Sequence, residues 1–565
     1  MMNGRFKGWL PERGFGFIVP DDGSPDVFLH IGRTKNPDEF RPGARVAFEL
    51  EDAPKGRKAT KVSLVLERGL GGLAPDLSLP TEDIEDLDTS KVDQNLLQEM
   101  SRWKREAKAE DNDRYFWHVR EVDQIAQGEK YFVIGRKGSG KTAISEYFNR
   151  QKQYNIFPEK LSFKNFPFNE LYSQKNQKYT TPNQFITIWK YLIYSTVCRS
   201  MLKNEAIDSA VREELAQLYD DGTSLRRRLQ RWVGREFGVS LFGLSFKLGK
   251  AERASTPTDW TENVDYLEDL LLRHAGAATY FVLFDELDED YRDIILADQY
   301  HQYTALITSL FKAVQDVRLT MATNPAIRIF PVIFLRDDIY ELVQDSDKNK
   351  WGDFRVDLNW DSEKIKKVVA FRISRSLNAN CQDILPFDLA WSKAFGTRSI
   401  GIGGRNKKIS TFDYIARSTL LRPRDFVAYL QNCAQHALEN SGKISPEVVK
   451  IVDKAFSNYL REELTDELFA VLPDIANIFD AISQLRKWNF SISELERAHL
   501  QQLERGFIKE RNVKFVLQLL FLFSVIGNTP RNGRFVFRYQ NREARLNFNE
   551  RVVVHRGLFK ALQIL

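Results

Sequence analysis

Through residues 4–66, apolar and polar positions alternate with a period of two. The alternating segments Arg5–Trp9, Gly16–Val19, Val27–Ile31, Arg45–Glu51 and Thr60–Leu66 are separated by Gly, Pro and Asp. Alternation bounded by turn residues predicts short, half-buried strands and so a small all-β module. From Gly69 to about Met100 the pattern collapses: between Asp76 and Glu99 stand eight acidic residues against Lys91 alone. That composition predicts an extended, solvated tether, with competition for a basic face as the other reading. Helical spacing takes over at 101–128. Its aromatics Trp103, Tyr115, Phe116 and Trp117 are expected in a core, with a contact to a planar ligand as the alternative.

Further on, three apolar runs have the length of buried parallel strands: Tyr131–Gly135, Tyr280–Asp285 and Phe330–Arg336. A further strand is expected at Lys160–Phe168. Residues 182–260 form a long insertion, helical at Pro182–Leu218 and Leu225–Phe237, with Arg226, Arg227, Arg228, Arg231 and Arg235 on the second helix. There Phe242, Leu244, Phe246 and Leu248 alternate as in a hairpin. Residues 361–460 read as helical. Helices are then expected near Asp466–Lys487, Ser491–Arg505 and Val513–Phe523, followed by strands at Arg534–Tyr539 and near Val552–Val554.

Composition narrows the class without naming a partner. The chain has 565 residues, 43% of them hydrophobic and 28% charged, with a net charge of +5. Its length predicts three or four domains, and the charge is too diluted to act as a whole-chain field. Cys198, Cys381 and Cys433 stand far apart, which suggests neither a disulfide framework nor a zinc site. The longest apolar run, Val516–Ile526, falls short of the roughly 20 residues that span a bilayer. With no leader pattern at the start, a cytoplasmic protein without membrane contact is expected. From residue 501 onward, twelve Lys and Arg face four acids, an excess of +8 that suits phosphate contacts.

The sharpest chemical signal is Gly135-Arg136-Lys137-Gly138-Ser139-Gly140-Lys141-Thr142, which joins an apolar strand to a helical pattern. This is the G-x-x-x-x-G-K-[ST] spacing. Glycines let backbone N–H groups converge on phosphate oxygens, the helix start adds positive charge, Lys141 reaches the β/γ-phosphates, and Thr142 can hold Mg²⁺. The second apolar run ends in Asp285-Glu286. Asp285 is expected to hold the metal and Glu286 to orient the attacking water. Asp288 receives no role. Arg336, at the tip of the third run, is placed to sense the terminal phosphate or else to pair with Asp337 or Asp338. In Leu421-Arg-Pro-Arg-Asp-Phe426, which opens a helix, Arg422 or Arg424 could reach the same phosphate in cis or in trans, or form a salt bridge there.

In the N-terminal module, Arg13-Gly-Phe-Gly-Phe-Ile18 and Val27-Phe-Leu-His-Ile31 put Phe15, Phe17, Phe28 and His30 at alternating positions, with Lys7, Trp9 and Arg13 nearby. Rings beside cations make a base-stacking platform. This segment resembles a cold-shock domain, an OB-type barrel that binds single-stranded nucleic acid. It departs from the family at Lys7-Gly8-Trp9, where a Lys-Trp-Phe run is usual, so one ring is missing or displaced. Residues 110–440 resemble the additional-strand branch of P-loop NTPases, particularly KAP and STAND-like ATPases and, more loosely, origin-recognition-type AAA+ proteins. Together these readings give a multidomain α/β chain: an OB-type barrel (1–68), acidic linker (69–100), P-loop ATPase core with a parallel sheet flanked by helices (101–350), helical lid (351–460) and basic winged-helix-like module (461–565). The resemblance implies a homo-oligomeric, ATP- and Mg²⁺-dependent enzyme of bacterial defence or stress response. It would bind single-stranded RNA or DNA through the barrel and DNA or protein through the C-terminal module. An ATP-switched scaffold with slow hydrolysis is the alternative.

Overall fold

The computed structural model describes residues 2–10, 15–22, 24, 26–30, 45–53, 56–64, 93–151, 153–163, 183–219, 260–288, 297–381, 383–402, 407–440, 442–530 and 534–564. The chain divides into two compact units, Met1–Leu87 and Asp88–Leu565.

In the first unit, β1 (Met2–Leu10), β2 (Phe15–Pro20), β3 (Val27–His30), β4 (Arg45–Ala53) and β5 (Gly56–Leu64) close into a barrel in the order β1-β2-β3-β5-β4. Alternation sorts the side chains: Phe6, Ile18, Val27, Leu29, Val46, Phe48 and Ala59 fill the interior. Their neighbours Phe17 and Phe28 are turned outward and half-buried. A register shift between Phe6 and Gly8 marks a bulge on β1.

The second unit is built on a five-stranded parallel sheet. β6 (Phe132–Gly135), β7 (Ile156–Ser162), β8 (Thr279–Asp285), β9 (Arg328–Arg336) and β10 (Arg355–Asp357) lie in the order β10-β6-β9-β8-β7. The crossovers put β9 between β6 and β8, so the glycine-loop strand and the Asp285 strand are one strand apart. Period-2 packing splits the core. Phe132, Ile134, Val282, Phe284 and Ile333 meet the helices Ile186–Met201, Trp260–His274 and Ala297–Met321. Val133, Leu283, Val332 and Phe334 meet the helices Arg120–Ala126 and Lys141–Asn149 on the other face.

Several expected boundaries move. The tether cannot extend to residue 100, because the helix Gln94–Arg102 starts there, capped by Asp93, and buries Leu96, Leu97 and Met100 against the helical region. Residues 103–111 are largely turns rather than helix. The edge strand is Ile156–Ser162 instead of Lys160–Phe168. The first part of the expected insertion is integral: Ile186–Met201 is buried along most of its length under the sheet. Arg226–Arg235 and the Phe242–Leu248 alternation lie outside the described residues. The core does not end at 350, since β10 completes the sheet. Nor does a boundary fall at 460, because Pro446–Leu468 is one helix and a single apolar core joins the helical region to the C-terminal residues.

That C-terminal part has helices Ile475–Leu485, Ile492–Glu504 and Val513–Leu522 beside a three-stranded sheet of Asn489–Phe490, Arg551–Val554 and Ile526–Thr529. The strand expected at Arg534–Tyr539 is reduced to one bridge, Val536 to Asn528. Among the described residues no helix is long and apolar enough to cross a membrane.

Candidate functional site

β6 delivers the chain into the glycine loop at Gly135, and the helix Lys141–Asn149 leaves it with Gly140 as N-cap at φ 101°. Gly138 also has a positive φ, 78°. Both are backbone states that a side chain would strain. At Gly135 the demand is different, since a Cβ there would lie 2.5 Å from Ser139 Oγ and 3.0 Å from Leu358 Cβ. Lys141 folds back, its Nζ donating to the carbonyls of Gly135 at 2.8 Å and Arg136 at 3.0 Å. Burial pushes its pKa down. Ser139 Oγ is buried with no hydrogen-bond partner among the described residues.

Loop and carboxylates share one cavity of about 500 Å³, lined by Lys141, Thr142, Asp285, Glu286 and Arg424 among others. Asp285, 2% exposed at the tip of β8, pairs through Oδ2 with Lys160 Nζ at 2.8 Å, and Lys160 also reaches Glu146. Glu286 has a left-handed backbone, φ 61°. Lys108 Nζ grips both its carboxylate oxygens, at 2.7 and 2.8 Å, and Ser162 Oγ donates to Oε2. Burial alone would raise the Glu286 pKa, but these hydrogen bonds outweigh it and hold the carboxyl below its ordinary value.

The arginines separate. Arg336 is buried and grips Asp338 through Nε at 3.0 Å and Nη2 at 2.6 Å, with Asp288 at 3.4 Å from Nη1. The salt-bridge alternative is therefore realised with Asp338, while Arg336 still borders the cavity. Arg422, 1% exposed, is spent on Asp425, Glu467 and the Lys137 carbonyl. Arg424 faces the cavity, lies against Gly138, and pairs with Glu463 at 3.3 Å. Of the four aromatics expected in the core, Trp103 and Tyr115 are buried there, whereas Phe116 and Trp117 are half-buried on the cavity wall. Sequence reasoning missed Lys108, Lys160, Ser162 and Trp360, whose Nε1 donates to the Ser139 carbonyl at 2.8 Å. Each is remote in sequence from its partner and carries no motif.

On the barrel, Phe17 pairs with Phe28 and Phe15 with His30 across β2 and β3, so the four positions share a face. The Phe17 and Phe28 rings meet edge-on, centroids 6.2 Å apart. Gly8 stands opposite Phe17, which locates the missing ring. Trp9 stands opposite Gly16, one position out of that row. Lys7 pairs with Asp26 at 2.8 Å, both partners well exposed. Arg13 lies outside the described residues, as do the side chains of Trp9 and Phe15.

A closed five-stranded barrel with paired outward rings beside a lysine defines the N-terminal unit as an OB-type module. Residues 2–65 match the family described as 'Cold-shock' DNA-binding domain, and the chain belongs to the cold-shock family through this segment. It is 46% identical over 70 residues to a cold shock protein of Arthrobacter globiformis, covering all of that protein and 12% of this chain. It is 44% identical over 64 residues to the cold shock-like protein CspJ of Salmonella typhimurium, covering 90% of it and 11% of this chain. Residues 363–465 match the FunZ-associated C-terminal helical domain. The structure of Drosophila ORC bound to DNA aligns over 87% of this chain and 97% of that one at 12% identity, but its TM-score of 0.27 is too low to establish a shared fold.

Proposed function

We propose that the chain is a Mg²⁺-dependent ATP hydrolase whose cycle is coupled to single-stranded nucleic acid held on the barrel. The observation that carries this reading is the convergence of Lys141, Thr142, Asp285, Glu286 and Arg424 on one cavity. A strand inserted between the glycine-loop strand and the Asp285 strand is the feature of the additional-strand P-loop branch, and it supports the same reading. The loop fits a triphosphate: two glycines hold the turn open, a lysine rests on loop carbonyls, and a buried hydroxyl has no hydrogen-bond partner among the described residues. Bound ATP and Mg²⁺ would supply the scissile phosphoanhydride and the divalent charge that stabilises it. Loop amides and Lys141 would hold the phosphate oxygens, Thr142 and Asp285 the metal, and Glu286 would orient water. Arg424 is the stronger candidate for the terminal phosphate, because Arg422 is buried against Asp425 and Glu467 and Arg336 grips Asp338.

The barrel's outward rings would stack bases of RNA or DNA, and the C-terminal helices and three-stranded sheet, with the Lys and Arg excess from residue 501 onward, suit a winged-helix reading with DNA or protein as partner. A homo-oligomer in bacterial defence or stress response is the setting the family resemblance suggests. Steady-state ATP turnover tests the hydrolase: Glu286→Gln should lower kcat on the order of 10²-fold or more, and Lys141→Ala should abolish saturation by ATP. Wild-type turnover no faster than that of Glu286→Gln overturns it. One observation favours the scaffold alternative, in which ATP drives assembly and hydrolysis is slow: Glu286 and Asp285 are already engaged by Lys108 and Lys160. ATP-dependent change of oligomeric state without turnover would select that reading.

A further inference from the structure

Away from the glycine-loop cavity, and sharing none of its lining residues, lies a second open cavity of about 510 Å³. Four of its walls are cationic: Lys407, Arg417, Lys450 and Arg556. Among the described residues no carboxylate lines it. Arg417 and Arg556 stand over the same ring, their guanidinium carbons 4.3 and 5.6 Å from the centroid of Tyr414. The Nε atoms of both are buried without a hydrogen-bond partner among the described residues. Asp453 is the carboxylate that acts on Arg417, but its Oδ1 is taken by Ser418 at 3.1 Å and Tyr429 at 3.3 Å. Burial and then the Arg556 charge push the Arg417 pKa down, outweighing the opposite pull of Tyr414 and Asp453.

Like charges gathered around one ring, with donors left over, cost stability in the free protein. A ligand carrying oxyanions would relieve that cost, and planar guanidinium forks match phosphate oxygens. The volume lies within the range of small-ligand pockets. We propose that Arg417, Arg556, Lys450 and Lys407 form a phosphate-binding site between the helical region and the C-terminal turn, taking the phosphate groups of a free nucleotide or of a nucleic-acid strand. Tyr414 serves as the platform that fixes the two guanidinium planes.

The test uses the full chain carrying Phe17→Ala, Phe28→Ala and Lys141→Ala, which blunts the barrel and the glycine loop. Two probes distinguish the sources: inorganic pyrophosphate, read by thermal shift, and a fluorescein-labelled single-stranded oligonucleotide, read by anisotropy. Adding Arg417→Gln with Arg556→Gln should abolish the pyrophosphate shift, or weaken oligonucleotide binding about tenfold and flatten the log K against log salt slope by about 1. Loss of the first assigns the site to nucleotides, and loss of the second to a strand. Without ligand, the double variant should melt at or above the temperature of its parent. Exposed Lys450→Gln should give a smaller loss in the same direction. If both probes bind the parent and the variants alike, or neither binds the parent, the site does not exist.

Discussion

Glu286 holds a left-handed backbone that costs a non-glycine residue about 1 kcal/mol or more, and its carboxylate is gripped by Lys108 and Ser162. The motif made Asp285 and Glu286 legible, because a carboxylate pair at the end of an apolar run is a local signal. Lys108 was not legible, being 178 residues away with no pattern of its own. Its removal makes a signed prediction. Lys108 holds the Glu286 carboxyl below its ordinary value, so Lys108→Ala should raise that pKa and move the acidic limb of the kcat profile to higher pH. An unmoved limb would mean that Lys108 does not touch the working carboxylate. At Gly138, φ is 78° and a Cβ would lie 3.2 Å from Arg424 Cβ. Gly138→Ala should therefore cost on the order of 1 kcal/mol of stability and weaken nucleotide binding, read by thermal shift with and without ATP.

Among elements, the glycine loop is clamped from several sides. Trp360 and Arg422 bond its carbonyls, and Lys137 lies 3.6 Å from Glu463. The C-terminal residues complete the clamp. Arg542 links Asp337 after β9 to Asp357 on β10, Arg538 pairs with Glu341, and Arg136 lies over Tyr539. Half-exposed pairs of this kind contribute about 1 kcal/mol or less each. Arg542→Ala should thus leave global unfolding nearly unchanged while speeding amide exchange in residues 534–550, and equal exchange would show that the ion pairs do not hold this segment. On the barrel, the Phe17 and Phe28 rings are outward and half-buried. Replacing both by Ala should lower single-strand affinity at least tenfold with the barrel still folded, since each stacked base contributes about 1–3 kcal/mol. Unchanged anisotropy titrations would move binding off this face.

Across the whole molecule, acid should act through buried groups where the helical region meets the C-terminal residues. His555, 1% exposed, has its pKa pushed down to about 3 by burial and by Arg136 and Arg422. The unfolded chain takes that proton near 6.5, so this stability is present above pH 6.5 and is lost as pH falls toward 3. Burial would raise Glu467, but Arg422, Lys137, Arg336 and Arg136 outweigh it and hold it at about 2. Its contribution is present above about 4.5 and is lost as pH falls through 2. The melting temperature should therefore drop from pH 6.5 downward, and His555→Gln should flatten the segment between 6.5 and 4.5. An identical slope in the variant would rule out His555 as the cause.

Local periodicity and spacing were enough to specify the barrel strands, the glycine loop, the Asp285-Glu286 strand end and the capped helix Ile492–Glu504, because each is set by neighbours within a few residues. Tertiary structure alone decided that β9 lies between β6 and β8, that the segment around Lys108 closes over Glu286, and that Arg424 rather than Arg422 faces the cavity. It also drew the cations around Tyr414 together from Lys407 to Arg556. The reason is physical: pairing between distant segments depends on packing and charge compensation in the folded core, and no window of sequence contains both partners.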